Sequence, residues 1–104
     1  MGKELPDLLA EPEVESEEEL TEPPMYRVIM HNDDFTPREF VVQVLMAVFS
    51  KDQEGAAQLM WHIHKNGWGV CGVYTHEVAE TKVETVKTLA KEHGFPLRAT
   101  MEPD

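Results

Sequence analysis

The sequence is poor in positive charge and in cysteine, and it contains no long apolar run. Its 104 residues include 9 Lys plus Arg against 20 Asp plus Glu, which gives a net charge of −11. An acidic surface repels phosphate, so nucleic acids and anionic membranes are disfavoured as partners. The apolar run at residues 44–49 is far shorter than the roughly 18 residues that a membrane span requires. These features predict a small protein without a membrane segment.

Cysteine and the common catalytic motifs are also scarce. The single cysteine, Cys71, has no partner for an internal disulfide and supplies at most one ligand of a thiolate zinc site. Such cysteine usage fits a reducing compartment. The sequence contains no G-x-S-x-G motif, no glycine-rich phosphate loop and no H-E-x-x-H motif. Its first residues soon turn acidic, so we expect no secretory signal, a cytoplasmic location and no cofactor.

Charge divides the chain into two parts. Residues 1–24 carry nine acids and one Lys and end in two prolines. Such a segment cannot bury enough apolar surface to offset the entropy lost on ordering, so it is predicted to be a disordered acidic arm. Residues 25–104 contain all the aromatic side chains and are predicted to form one domain, too small to enclose a large catalytic chamber.

Alternating apolar residues and helical apolar stripes predict six elements in this domain. Their order is β-α-α-β-α-β. The predicted fold is an α+β sandwich in which three helices pack on one face of a three-stranded antiparallel sheet. The predicted elements are strands at 25–30, 68–74 and 97–101 and helices at 37–49, 53–66 and 76–93.

Cap residues define the predicted helix ends. Thr36 and Glu39 stand three residues apart with a proline after the threonine, which is the form of a capping box with Thr36 as N-cap. Asp52 and Thr75 are predicted to cap the second and third helices. Gly94, followed two residues later by proline, is a strong signal for the end of the third helix.

A polar corner is predicted between the first strand and the first helix, at Asn32, Asp33 and Asp34. The strand and the helix on either side of such a loop fix the orientation of its polar groups, which favours a binding role. Asx residues are also ordinary turn formers. Two crowded carboxylates with only Arg38 nearby are nevertheless a costly way to build a turn, so the corner is a candidate functional site.

His62 and His64 form an H-x-H pair, but a shared metal ion is disfavoured. Two positions along a helix advance by about 200°, so the two rings point to opposite sides. His64 follows Met60 by four residues and lies at the edge of an apolar face, where it either packs or donates and accepts hydrogen bonds near neutral pH. Cys71, within an apolar strand, is expected to be a core residue rather than a nucleophile.

Two segments of the sequence resemble the ClpS adaptor family. The first is M-Y-R-V-I-M-H-N-D-D-F-T-P at 25–37 followed by E-F-V at 39–41, and the second is C-G-V-Y-T-H-E-V-A-E-T-K-V at 71–83. The similarity runs over about 25–102, and the acidic arm resembles the family's N-terminal extension. It implies a monomeric, non-enzymatic adaptor that binds proteins through destabilising N-terminal residues, which are large hydrophobic or aromatic ones. Such adaptors hand these proteins to a Clp-type AAA+ unfoldase for degradation.

The resemblance also implies roles for individual residues. Asn32, Asp33 and His64 correspond to family residues that hold the α-amino group of the substrate. Glu77 and Lys82 correspond to positions that dock the N-terminal domain of a ClpA-like unfoldase. Positions that line the pocket for the first side chain, or its entrance, are Asp34, Thr36, Arg38, Val41, Met60, Ile63 and Leu97.

Arg38 departs from the family pattern, which usually has methionine as a gate on the pocket. A planar cation stacks on aromatic rings, so substrates beginning with Phe, Tyr or Trp are predicted to gain over those beginning with Leu. The guanidinium is expected to reach solvent or to pair with Asp34, four residues earlier. Trp68 is a second departure, where charged or small residues are more usual.

Two other classes of protein remain open. A small hydrolase would use Asp33, Asp34 and His64 and would turn over an ester or an amide. A general protein-docking module, of the ribosomal-stalk type, would bind partners without regard to a free α-amine.

Overall fold

The computed structural model describes residues 23–104. Across this part the chain forms three strands and three helices in the predicted order, so the α+β class is confirmed. The arm predicted at residues 1–24 lies outside the described residues, apart from its last two prolines. No helix in the described part is long and apolar enough to cross a membrane. The strands are β1 (Met25–His31), β2 (Trp68–Thr75) and β3 (Arg98–Pro103), and the helices are α1 (Arg38–Phe49), α2 (Gln53–Asn66) and α3 (His76–His93).

The sheet is antiparallel, with β1 between β2 and β3. Val28 pairs with Gly72 and Ile29 with Val70, so Cys71 is the extra residue of a β-bulge. The bulge leaves Cys71 buried in the apolar core rather than on the outer face of the sheet. On the other side of β1, Val28 pairs with Met101, which keeps the core-facing residues of all three strands in line.

One apolar core lies between the sheet and the three helices. Val28 and Met30 of β1 are fully buried, as are Leu45 of α1 and Val86 of α3. These side chains belong to a single cluster to which every helix contributes. No charged side chain is buried among residues 23–104, so the core is held together by apolar packing.

The three predicted N-caps have different outcomes: Asp52 caps its helix, Thr75 holds the N-cap position of α3 without a side-chain bond, and Thr36 does not cap α1. The Asp52 carboxylate accepts a hydrogen bond from the Gly55 N–H at 2.7 Å and caps α2 as predicted. Helix α1 begins later than predicted, with Pro37 at the N-cap and no side-chain cap bond. The Thr36 hydroxyl instead donates to the Asp33 carboxylate at 2.8 Å. The capping box predicted at Thr36 and Glu39 is therefore wrong.

The end of α2 is joined to the polar corner, and Leu97 lies just before the start of β3. Gly67 ends α2 with φ of 92°, a left-handed conformation that glycine adopts without strain. Its carbonyl accepts a hydrogen bond from the Asn32 N–H at 2.9 Å, which joins the corner to the end of α2. Leu97, predicted to lie within the last strand, directly precedes β3, which begins at Arg98 and reaches Pro103.

Candidate functional site

A cleft of about 430 Å³ opens beside the polar corner, within the range of small-ligand pockets. It is bounded by the end of β1, the start of α1, the second half of α2 and the segment before β3. The cleft brings together all ten residues that the family resemblance assigned to amine binding or to the pocket. Its lining consists of His31, Asn32, Asp33, Asp34, Thr36, Pro37, Arg38, Glu39, Val41, Met60, Ile63, His64 and Leu97.

The floor of the cleft is apolar. Val41 comes from α1, Met60 and Ile63 from α2, and Leu97 from the segment before β3. Each of the four side chains is less than 10 % exposed. Met60 and Ile63 are three residues apart, which places them side by side on one face of the helix. An apolar group that enters the cleft therefore loses its water against a surface that is already closely packed.

The Asp33 carboxylate organises the loop at the mouth of the cleft. Its Oδ1 accepts hydrogen bonds from the backbone N–H groups of Phe35 at 2.8 Å and Thr36 at 2.7 Å. Its Oδ2 accepts from the Thr36 hydroxyl at 2.8 Å. These three bonds hold the carboxylate in a fixed position and leave acceptor capacity on its oxygens. Asp33 is thus both the turn former and a preorganised negative charge at the mouth.

Asn32 and Asp34 flank this carboxylate. The side chain of Asn32 is exposed, while its backbone is held by the hydrogen bond to Gly67. Asp34 is also exposed and lines the cleft without a side-chain hydrogen bond to the described residues. The corner therefore presents an amide and two carboxylates to solvent, and only Asp33 is fixed by its own side-chain bonds.

Arg38 bonds to His64 across the mouth. Its Nη2 lies 3.2 Å from His64 Nε2, and its guanidinium lies over the Trp61 ring at 5.0 Å from the ring centre. Since arginine has only donors, His64 Nε2 is the acceptor and carries no proton in this contact. The pairing expected between Arg38 and Asp34 is not the one found, because the guanidinium turns towards α2 instead.

The mouth of the cleft carries an excess of negative charge. Asp33, Asp34 and Glu39 supply three carboxylates, whereas Arg38 supplies one guanidinium. A cation with several donors is therefore favoured at the mouth, and it would find acceptors on Asn32 as well. The cleft joins this cation-attracting mouth to an apolar floor.

Sequence reasoning missed several residues of this site. His31, Pro37 and Glu39 also line the cleft, and Trp61 supports Arg38. Burial and, to a lesser degree, the charge of Arg98 lower the pKa of His31, so its ring is neutral at pH 7. Trp61 was within reach of prediction, because it precedes His64 by three residues on the same helix.

His62 and Cys71, which were considered as a metal ligand and as a nucleophile, do not line the cleft. The ring of His62 bonds to the Asn66 side chain at 3.1 Å, so the two histidines of the H-x-H pair face different partners. Among residues 23–104, no three His, Cys, Asp or Glu side chains form a metal-binding group. Cys71 is 1 % exposed, and burial raises the pKa of its thiol to about 12.

The buried Cys71 thiol is expected to resist alkylation in the folded protein. At pH 8 the thiol is protonated in the core, and the thiolate is the reactive form. Iodoacetamide labelling followed by mass spectrometry should be slow in buffer and fast in guanidinium chloride. Because folding raises this pKa, the associated stability is complete below pH 9 and is lost as the pH rises from about 9 to about 12. Rapid stoichiometric labelling of the native protein would contradict this assignment.

The two residues assigned to docking belong to the first half of α3 and do not line the cleft. Glu77 is exposed in the first turn of the helix. Lys82 is half-buried, and its Nζ donates to the Val48 carbonyl at 2.7 Å. The ammonium also lies over the rings of Phe49 and Tyr74, at 5.8 and 5.2 Å from their centres. Lys82 therefore joins α3 to the end of α1 whatever else it contacts.

Fold and cleft together define a small α+β binding module whose pocket combines a polar, negatively charged mouth with an apolar floor. The sequence model of the family described as ATP-dependent Clp protease adaptor protein ClpS matches residues 21–100. The chain belongs to the ClpS family.

Individual relatives agree with this assignment. An ATP-dependent Clp protease adapter protein ClpS from Desulforapulum autotrophicum is 62% identical over 82 residues, which cover 79% of each chain. The one from Myxococcus xanthus is 54% identical over 87 residues, covering 84% of this chain and 81% of its own. Among solved structures, Agrobacterium tumefaciens ClpS2 bound to L-phenylalaninamide superimposes with a TM-score of 0.77 at 43% identity. That likeness covers 80% of this chain and 100% of the ClpS2 chain.

Proposed function

We propose that this chain binds proteins that begin with a large hydrophobic or aromatic residue and delivers them to a Clp-type AAA+ unfoldase for degradation. The observation that carries the proposal is the cleft, where the acceptors at Asn32, Asp33 and His64 stand beside an apolar floor. The ligand of the similar ClpS2 structure has the matching chemistry, because L-phenylalaninamide joins a free α-amine to a benzyl side chain.

The mouth suits an N-terminal α-ammonium group. Such a group is a compact cation with three donors, and it needs acceptors from about three directions. The Asn32 side-chain oxygen, the Asp33 carboxylate and the unprotonated Nε2 of His64 are suitable acceptors. Arg38 bonds to His64 Nε2, and with Nε2 as acceptor the neutral ring carries its proton on Nδ1, which cannot accept from an ammonium. The proposed complex therefore requires the guanidinium to move off Nε2.

The floor would take the first side chain. Burying a Leu or Phe side chain contributes about 1.5–3 kcal/mol, and each charge-assisted hydrogen bond about the same. Association costs several kcal/mol in lost freedom. The balance corresponds to a modest affinity, which suits a protein that must release its cargo to a motor.

Delivery requires a second surface, and Glu77 and Lys82 are proposed to dock the N-terminal domain of a ClpA-like unfoldase. Lys82 is held by its bond to Val48, so it would present its charge from a fixed position. We further propose that the chain is a cytoplasmic monomer that acts without a cofactor or catalysis, and that nucleic acids and membranes are not partners.

A peptide titration tests the proposal against its alternatives. Fluorescein-labelled peptides that differ only at the first residue are measured by anisotropy, each with a free and an acetylated α-amine. Acetylation removes the positive charge, so acetylated peptides beginning with Leu or Phe should bind at least tenfold more weakly. Equal binding within a factor of about two would favour a docking module that ignores the amine. Turnover of a model ester or amide, lost in Asp33→Ala, would favour a hydrolase.

The acidic segment at residues 1–24 is proposed to serve delivery rather than recognition. None of the residues that the family resemblance assigns to the pocket falls within it, and its composition argues against folding. Its removal should leave peptide affinity and melting temperature nearly unchanged while unfoldase-dependent degradation falls. A control chain in which the acids of this segment are replaced by Gln and Ser separates length from charge. Degradation at the full rate by the truncated chain would rule out the delivery role.

A further inference from the structure

We infer that Arg38 reads the second residue of the substrate and favours an acidic side chain there. The inference rests on the proposed function, because it takes the first residue to lie in the cleft. It names a substrate preference that neither the apolar floor nor the amine acceptors supply.

The first observation is that the guanidinium is held at the mouth. It lies 5.0 Å from the centre of the Trp61 ring, and its Nη2 lies 3.2 Å from His64 Nε2. Trp61 is itself close to His64, with ring centres 5.8 Å apart. The stack on Trp61 restricts the guanidinium before any ligand arrives, so a further bond costs less entropy. An α-ammonium that takes His64 Nε2 frees Nη2 of Arg38 for a new acceptor.

The second observation is the distance between this cation and the amine acceptors. If the amine lies among Asn32, Asp33 and His64, and the first side chain points to the floor, the rest of the peptide must leave through the mouth. One residue of extended chain advances by about 3.3–3.6 Å. Arg38 lies beside one of those acceptors and over the Trp61 ring, so a guanidinium displaced from His64 by the amine stays close to the mouth, and the second side chain emerges within its reach.

The third observation is the place of Arg38 at the first residue of α1. The N-terminal end of a helix carries partial positive charge and free N–H groups, which attract an anion. A carboxylate beside Arg38 would meet both the guanidinium and this end of the helix. An amine at the second position would instead be repelled by both.

Negative charges at the mouth limit the effect. Asp34 and Glu39 also line the cleft and repel an acid, whereas Asp33 would be offset by the bound α-ammonium. Ion pairs at exposed sites are also screened by salt. The expected preference is therefore about three- to fivefold in affinity at low salt, and it shrinks as salt is added.

The test compares two peptides of equal composition and net charge. Both begin with Leu, and one has Glu at the second position and Gln at the seventh, while the other has the two exchanged. Equal net charge cancels the repulsion by this acidic protein. The ratio of the two affinities is measured for the full chain and for Arg38→Gln and Arg38→Lys. Each peptide is also measured with an acetylated α-amine.

We expect a ratio of about three to five in the wild-type chain, close to one in Arg38→Gln, and an intermediate value in Arg38→Lys, which keeps the charge but not the planar stack on Trp61. A ratio near one in the wild type, or an unchanged ratio in Arg38→Gln, overturns the inference while amine-dependent binding leaves the proposed function intact. Binding that ignores acetylation, or no binding of either peptide, overturns both.

Discussion

Replacement of Leu45 by alanine is expected to lower the free energy of unfolding by about 2–5 kcal/mol. Leu45 has no exposed surface and packs in the cluster shared by the sheet and all three helices. Truncation removes buried methyl groups and leaves a cavity that this close-packed core can fill only in part. Since domains of this kind are stabilised by about 5–15 kcal/mol, the loss is a large share of the total.

The next residue on the same helix provides the control. Met46 is 39% exposed, and Met46→Ala should cost less than about 1 kcal/mol. Urea denaturation followed by circular dichroism measures both variants against the wild type. Similar losses at the two positions would mean that the face of α1 assigned to the core is wrong.

The sequence was sufficient to predict the bounds of a helix where the residues that start and end it are adjacent to it in the chain. Helix α3 has the bounds that the sequence predicts, His76–His93, with Thr75 at the N-cap position but without a side-chain cap bond, and with Gly94 ending it in a left-handed conformation. Helix α2 likewise follows from Asp52 and Gly67. These caps act within one turn of the helix, so pattern and spacing contain the information.

The prediction was wrong or incomplete where a residue has two possible hydrogen-bond partners, or where its partner is far away in the sequence. Thr36 had two possible uses for its hydroxyl, and the bond to Asp33 displaced the predicted cap. The last strand extends beyond residue 101 because its length is set by pairing with β1, and Pro103 pairs with Tyr26. The contact of Arg38 with His64 joins α1 to α2, which local spacing does not predict.

The candidate site likewise contains residues that could be predicted from the sequence alone and residues that could not. The polar corner at Asn32, Asp33 and Asp34 stood out from residue types alone, whereas residues of α2 were added to it only through the family resemblance. The structure explains why they belong together, since the Gly67 carbonyl ties the end of α2 to the Asn32 backbone. A tie of this kind joins residues far apart in the sequence and leaves no periodic pattern.

Replacement of Asp33 by alanine is expected to weaken binding of a Leu- or Phe-initiated peptide by roughly 10- to 150-fold. That range corresponds to the loss of one charge-assisted bond of about 1.5–3 kcal/mol to the α-ammonium. The variant also loses the hydrogen bonds to Phe35 and Thr36 that shape the loop. Titration calorimetry with the free-amine peptide measures the total effect.

Asp33→Asn separates the charge from the turn. The asparagine oxygen can still accept from the backbone N–H groups of Phe35 and Thr36, so the loop should keep its shape and the melting temperature should stay near that of the wild type. The negative charge is lost, so affinity should still fall about tenfold or more. Acetylation of the peptide should then cost far less in the variant than in the wild type, because the two changes remove the same interaction. Full additivity of the two losses would mean that the Asp33 carboxylate does not contact the α-amine.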